Sequence, residues 1–146
     1  MQIASEQSEV PKYFMNREHS DRLCALGFNE DCFGYWSGEY FVYTVDRRWN
    51  RNEVWLSEEG NCVSSPLREQ ALDFIEREYG LYCMVNISTR DGGFYFEIKD
   101  SSGVSKAVSV HNCERKQDVY EFMFNRIFNL CDAIKAKRGL HSINNN

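Results

Sequence analysis

No apolar stretch in this 146-residue chain approaches 18 residues, so no membrane-spanning helix is predicted. A surplus of positive charge is also missing. Seventeen Lys and Arg stand against 22 Asp and Glu, a formal net charge of −5. That argues against a chain-wide grip on nucleic-acid phosphates, which needs clustered cations, although a local basic patch stays open. Zinc motifs are absent. Cys24, Cys32, Cys62, Cys83, Cys113 and Cys131 follow one another at spacings of 8, 30, 21, 30 and 18, with no close Cys or His pair. There is no glycine-rich phosphate loop, because Gly92-Gly93 belongs to a turn. Met1-Gln-Ile-Ala-Ser-Glu-Gln has neither a basic start nor an apolar run, so no signal peptide is expected. Free, reduced thiols in a soluble cytoplasmic protein follow, with Cys83 and Cys131 packing as small hydrophobes.

Aromatic residues are what the chain has in excess: 10 Phe, 8 Tyr and 3 Trp. A length of 146 favours one domain, which buries about 68–70% of its unfolded surface and needs no covalent staples. Some rings then belong to the core, and others are expected to cover a partner or a second subunit.

Residues 1–15 are polar and expected to be loosely ordered. Asn16 reads as an N-cap for a short helix, Arg17 to Leu26, with His19, Leu23 and Leu26 on one face and Gly27 just past its end. The stretch 28–36 has aromatics but no helical period. Ser37-Gly38 turns the chain, and Glu39 to Val45 reads as a strand whose hairpin partner is Glu53 to Ser57. Ser65-Pro66 then predicts a helix start, an N-cap followed by proline at the first helical position. Leu67, Ala71, Phe74 and Ile75 form its apolar stripe, and Gly80 ends it.

Three strands follow: Leu81 to Ser88, Phe94 to Lys99, and Val104 to Val110 with Val108 and Val110 on the buried side. The turns at 89–93 and 100–103 make the meander antiparallel. The last helix starts between Asn112 and Asp118 and is predicted to end near Lys137, with Gly139 as its C-cap. Val119, Phe122, Met123, Ile127, Leu130 and Ile134 form its core-facing row. Tyr120, Phe124 and Phe128 form a second row, read as a possible interface covered by the N-terminal segment or a second subunit. The predicted class is α+β: a helix-plus-hairpin extension over 16–60, then an α-β-β-β-α core over 61–140 with an antiparallel sheet.

Candidate chemistry is sparse. The loop Asp46-Arg47-Arg48-Trp49-Asn50-Arg51-Asn52 places three guanidiniums and an indole within five residues. Arg47, Arg48, Trp49 and Arg51 suit phosphate contact with base stacking, or an acidic protein surface. His111 and Cys113 sit two apart, yet no third group to orient the base and no oxyanion hole is identifiable. Carboxylates such as Glu58 and Glu59 read as a solvated face. No catalytic residue, metal ligand or cofactor is predicted, and the chain is read as a non-enzyme. The helix–β–β–β–helix order resembles the double-stranded-RNA-binding domain. However, its final helix is entered through the mixed-sign Glu114-Arg115-Lys116-Gln117-Asp118, and its first strand loop carries only Arg90, which favours a common packing without that role.

Leu26-Gly27-Phe28-Asn29-Glu30-Asp31-Cys32-Phe33-Gly34-Tyr35-Trp36 resembles an element of small uncharacterised proteins of Bacteroidetes phages, prophages and mobile elements. In those proteins, as here, a short helix precedes the element and a later helix ends in aromatic-Gly-Leu, here Tyr79-Gly80-Leu81. The resemblance spans most of residues 16–137. The chain departs from it at Asp31, where proline is expected, and in the Arg-rich loop. It implies an accessory protein of a phage or mobile element in the host-cell cytoplasm and carries over no functional residue. The expected role is a protein-interaction module that takes a protein partner or a second copy of itself, with nucleic-acid binding through residues 46–52 as the alternative.

Overall fold

The structure, a computed structural model, describes residues 2–4, 10–44, 48, 62–90, 92–109 and 112–144. Among them the chain is α+β, with three α-helices and two antiparallel sheets. It divides into two compact units, Met1–Ala71 and Leu72–Asn146, where the sequence predicts one domain with an extension.

In the first unit, β1 (Gln2–Ala4), β2 (Gly34–Ser37), β3 (Tyr40–Tyr43) and β4 (Cys62–Ser65) form a sheet in the order β1-β3-β2-β4. Helix α1 (Arg17–Ala25) packs against β4. It starts where the Asn16 side-chain oxygen accepts the His19 N–H at 2.8 Å, as the sequence predicts. His19, Leu23 and Leu26 are all buried.

Three strands of this sheet escape the sequence reading, β4 among them because its Ser65 reads as a helix cap. β1 falls in the segment expected to be loosely ordered, and β2 falls in the stretch read as irregular. β3 pairs with β2 through a two-residue turn, closed by Ser37 opposite Tyr40. Gly38 takes φ +59° there, and a positive φ at the first turn position alone suits the right-handed twist of a hairpin. The expected partner, 53–57, lies outside the described residues. β2 is hard to read because glycine opens it, and that glycine is a packing requirement. A Cβ on Gly34 would stand 2.8 Å from the Phe41 ring.

The Ser65-Pro66 helix start is a correction. Ser65 ends β4, and helix α2 begins at Arg68 and runs to Tyr79, across the boundary between the units. The Ala71 N–H reaches the Leu67 carbonyl at 3.1 Å, so the first helical turn closes on Leu67. The Ser65 hydroxyl instead donates to the Met15 carbonyl at 2.6 Å. That buried carbonyl also accepts the Trp36 indole N–H at 2.9 Å and the Ser20 hydroxyl at 3.3 Å. The Met15 N–H donates to the Pro66 carbonyl at 2.9 Å. One peptide group therefore ties α1, β2 and β4 to the chain between Tyr13 and Asn16.

In the second unit, β5 (Leu81–Ile87), β6 (Phe94–Asp100) and β7 (Ser105–Val108) form the predicted meander in the order β5-β6-β7. The Asp100 carboxylate shapes the second turn. It accepts from the Ser102 hydroxyl at 2.8 Å and from the Ser102 and Val104 N–H groups at 2.9 and 3.0 Å. These bonds hold its carboxyl below the ordinary range.

The register of β7 is a second correction. An irregularity between Ile98 and Lys99 sets Ala107 opposite Ile98 and Val108 opposite Glu97. Side chains alternate across a strand, so Val108 falls on the Glu97 face and is exposed, whereas the sequence predicts it buried. Val110 lies outside the described residues.

Helix α3 (Lys116–Asn144) packs on β6 and β5. It runs through Gly139, which is helical and not its cap. Its buried arc holds Val119, Met123, Ile127 and Cys131 together with Phe124 and Phe128.

Candidate functional site

Of the four residues proposed in the 46–52 loop, Arg47, Trp49 and Arg51 lie outside the described residues. Arg48 is exposed, and its guanidinium lies over the Phe33 ring, 4.5 Å from the centroid. That geometry is a cation–π contact within the chain. Beside it the buried Cys32 thiol is pushed up to about 12, chiefly by burial and then by Glu30 and Asp31. A thiol so placed is an inert hydrophobe and not a nucleophile.

The rest of the Leu26–Trp36 element has equally local work. Leu26, Phe28 and Cys32 are buried, Gly27 takes the left-handed φ of +100° after α1, and Trp36 holds the Met15 carbonyl.

His111 lies outside the described residues, and Cys113 pairs with Phe94 through two backbone hydrogen bonds of 2.7 and 2.8 Å. Among the described residues no cluster of His, Cys, Asp and Glu could hold a metal ion. No helix among them is long and apolar enough to cross a membrane. The six cysteines are free, with Cys24 exposed on α1.

The second aromatic row of α3 does not face outward. Phe124 is 1% exposed, Phe128 is 0% and Tyr120 is half-buried, so Phe124 and Phe128 are core and not an interface. Phe122, assigned to the core by periodicity, is 59% exposed. Steps of about 100° per residue explain the exchange. The buried arc runs from Val119 through Met123 and Ile127 to Phe124 and Phe128, roughly 180° in all. Phe122 falls about 60° outside its Val119 edge. Sequence periodicity correctly finds an apolar surplus on this helix but places it at the wrong margin.

That margin builds a recess of the second unit. A groove of about 640 Å³ runs between α3 and β7. Phe96, Ala107 and Val119 give it apolar walls, and Phe122 and Val108 stand exposed in its lining. Arg126, one turn after Phe122, also lines it. Among the described residues Arg126 has no ion pair or hydrogen-bond partner. Among the described residues the lining contains no carboxylate.

β7 is an edge strand: among the described residues nothing pairs with its outer side. The Ser109 N–H points inward, reaching the Phe96 carbonyl at 3.0 Å. Alternation along the strand therefore turns the Val108 N–H and carbonyl to the open side. Among the described residues the groove thus combines an exposed ring, a guanidinium without a partner and outward backbone groups.

No family model matches the chain, and no curated protein or solved structure matches it.

Proposed function

We propose that this chain is a non-enzymatic protein-interaction module that receives its partner in the groove between β7 and α3. The observation that carries the reading is Phe122, a large ring 59% exposed at the mouth of an apolar recess beside an open strand edge. Exposed apolar surface next to a recess marks interaction sites, and aromatic anchors supply most of the binding energy in such places. The sequence resemblance of the 26–36 element supports a setting as an accessory protein of a phage or mobile element, acting in the host cytoplasm.

The reading is tested by placing a photo-crosslinking phenylalanine at position 122 in the producing cell. The control carries the same group at Tyr40, which is 70% exposed in the first unit. A discrete crosslinked polypeptide from position 122 and not from position 40 is expected. Identical patterns from both positions, or none from 122, would overturn the reading.

A further inference from the structure

Resting on the interaction-module reading, we infer that the groove takes an extended, acidic segment of another protein, added as a fourth strand beside β7. Three features converge on that occupant.

The first is the backbone. The outward Val108 N–H and carbonyl are a template for one more antiparallel or parallel strand, and strand addition at a free edge is a recurring peptide-binding mode. A bound helix satisfies its own backbone and leaves this edge unpaired.

The second is spacing. An added strand would lie beside β7 along the groove that Phe122 and Arg126 line, so its inward side chains would meet them. Four helical residues rise about 6 Å, close to the two-residue repeat of a strand, about 6.7 Å. One inward side chain can then pack on Phe122 while the next inward one reaches Arg126. The pattern read by the groove is apolar–x–acidic.

The third is charge. Among the described residues the Arg126 guanidinium has no partner and the lining has no carboxylate, so the complementary ligand brings the carboxylate. The cations of β7 and of the approach to α3 are already matched. Arg115 grips Asp118 through two hydrogen bonds of 3.0 and 3.1 Å, and the Lys106 ammonium stands 3.4 Å from the Asp100 carboxylate.

The same charge argues against a second copy of this chain as the occupant. Pairing β7 with its own twin draws two Arg126 guanidiniums into one seam with nothing there to offset them, and like charges across a pair destabilise it.

The test is selection of random dodecapeptides on the full chain and on three variants. Wild type is expected to enrich an apolar–x–Asp or apolar–x–Glu pattern. Arg126→Glu should weaken the selected peptides by about ten-fold or more, and its own selection should turn to apolar–x–Lys or apolar–x–Arg. Val108→Pro removes an outward N–H at an edge, where proline is tolerated, and should weaken binding about as much with an unchanged circular dichroism spectrum. Phe122→Ala should abolish enrichment.

Peptides that need Phe122 but ignore both Arg126→Glu and Val108→Pro would overturn this inference and leave the interaction-module reading standing. Peptides that ignore Phe122→Ala, or no enrichment at all, would overturn both. A wild-type dimer broken by Val108→Pro would assign the edge to self-pairing and likewise overturn the acidic-strand inference.

Discussion

The two units use their aromatic residues in different ways. In the first, Phe14, Trp36, Phe41 and Tyr43 gather into one cluster, with Phe41 at 4.9 Å from Phe14, 5.1 Å from Trp36 and 5.9 Å from Tyr43. In the second, Phe124 and Phe128 are core, 6.0 Å apart, while Phe122 on the same helix is left outside. The first unit holds the recognisable sequence element, and that element is engaged in packing. The second carries only the Tyr79-Gly80-Leu81 part of that resemblance, yet it has the groove. A memorable string of residues and an available surface are separate properties, and in this molecule they fall in separate units.

The contrast can be broken most directly at the rings of α3. Phe128→Ala should cost about 3–5 kcal/mol, as expected for a fully buried ring, whereas Phe122→Ala should stay within about 0.5 kcal/mol. Urea unfolding of both variants checks this. Equal losses would mean that Phe122 is core, and the groove would lose its anchor.

A smaller effect sharpens the first unit. Gly34→Ala drives a methyl to 2.8 Å from the Phe41 ring, and overpacking of that kind costs roughly 1–3 kcal/mol. Thermal unfolding reads it, and a neutral substitution would mean that the aromatic cluster yields freely.

The smallest effect near neutral pH concerns two thiols, the buried Cys32 of the first unit and the half-buried Cys83 of the second. Cys32 is pushed up to about 12 by burial first, and so is Cys83, by burial and then by Cys131 and Glu76. The folded value exceeds the unfolded one, so this contribution to stability is complete below about pH 9 and is lost as pH climbs toward about 12. The urea midpoint of wild type should fall over that window. It should fall less steeply in Cys32→Ala and in Cys83→Ala, and identical slopes would contradict the assignment.

What could be read from the sequence follows the length of each pattern. The meander of the second unit was legible because β5 and β6 alternate over seven residues each and glycines mark their turns. α1 was legible from its cap. β2 and β4 were not, since four residues are too few to show a period. Ser65 misled because a serine before a proline looks like a helix cap, and only the distant Met15 carbonyl gives its hydroxyl another partner. Val108 was misplaced because a register irregularity leaves no trace in composition. Phe122 was misplaced because a wide apolar arc does not announce which margin is covered. The groove could not be derived, since it depends on both of those residues together.

The Met15 carbonyl also bears on how this chain is made. Its partners are Ser20, Trp36 and Ser65, the last of them 50 residues downstream. A ribosome adds about 5–20 residues per second, so Ser65 is joined to the chain roughly 3–10 s after Met15. Until it emerges, Trp36 and the Met15 peptide are synthesised but cannot be finished as a buried pair. For that interval the nascent first unit exposes an aromatic-rich surface, the kind of segment on which chaperones act. Slow codons placed a tunnel length beyond this unit would give it time to close before the second begins to emerge.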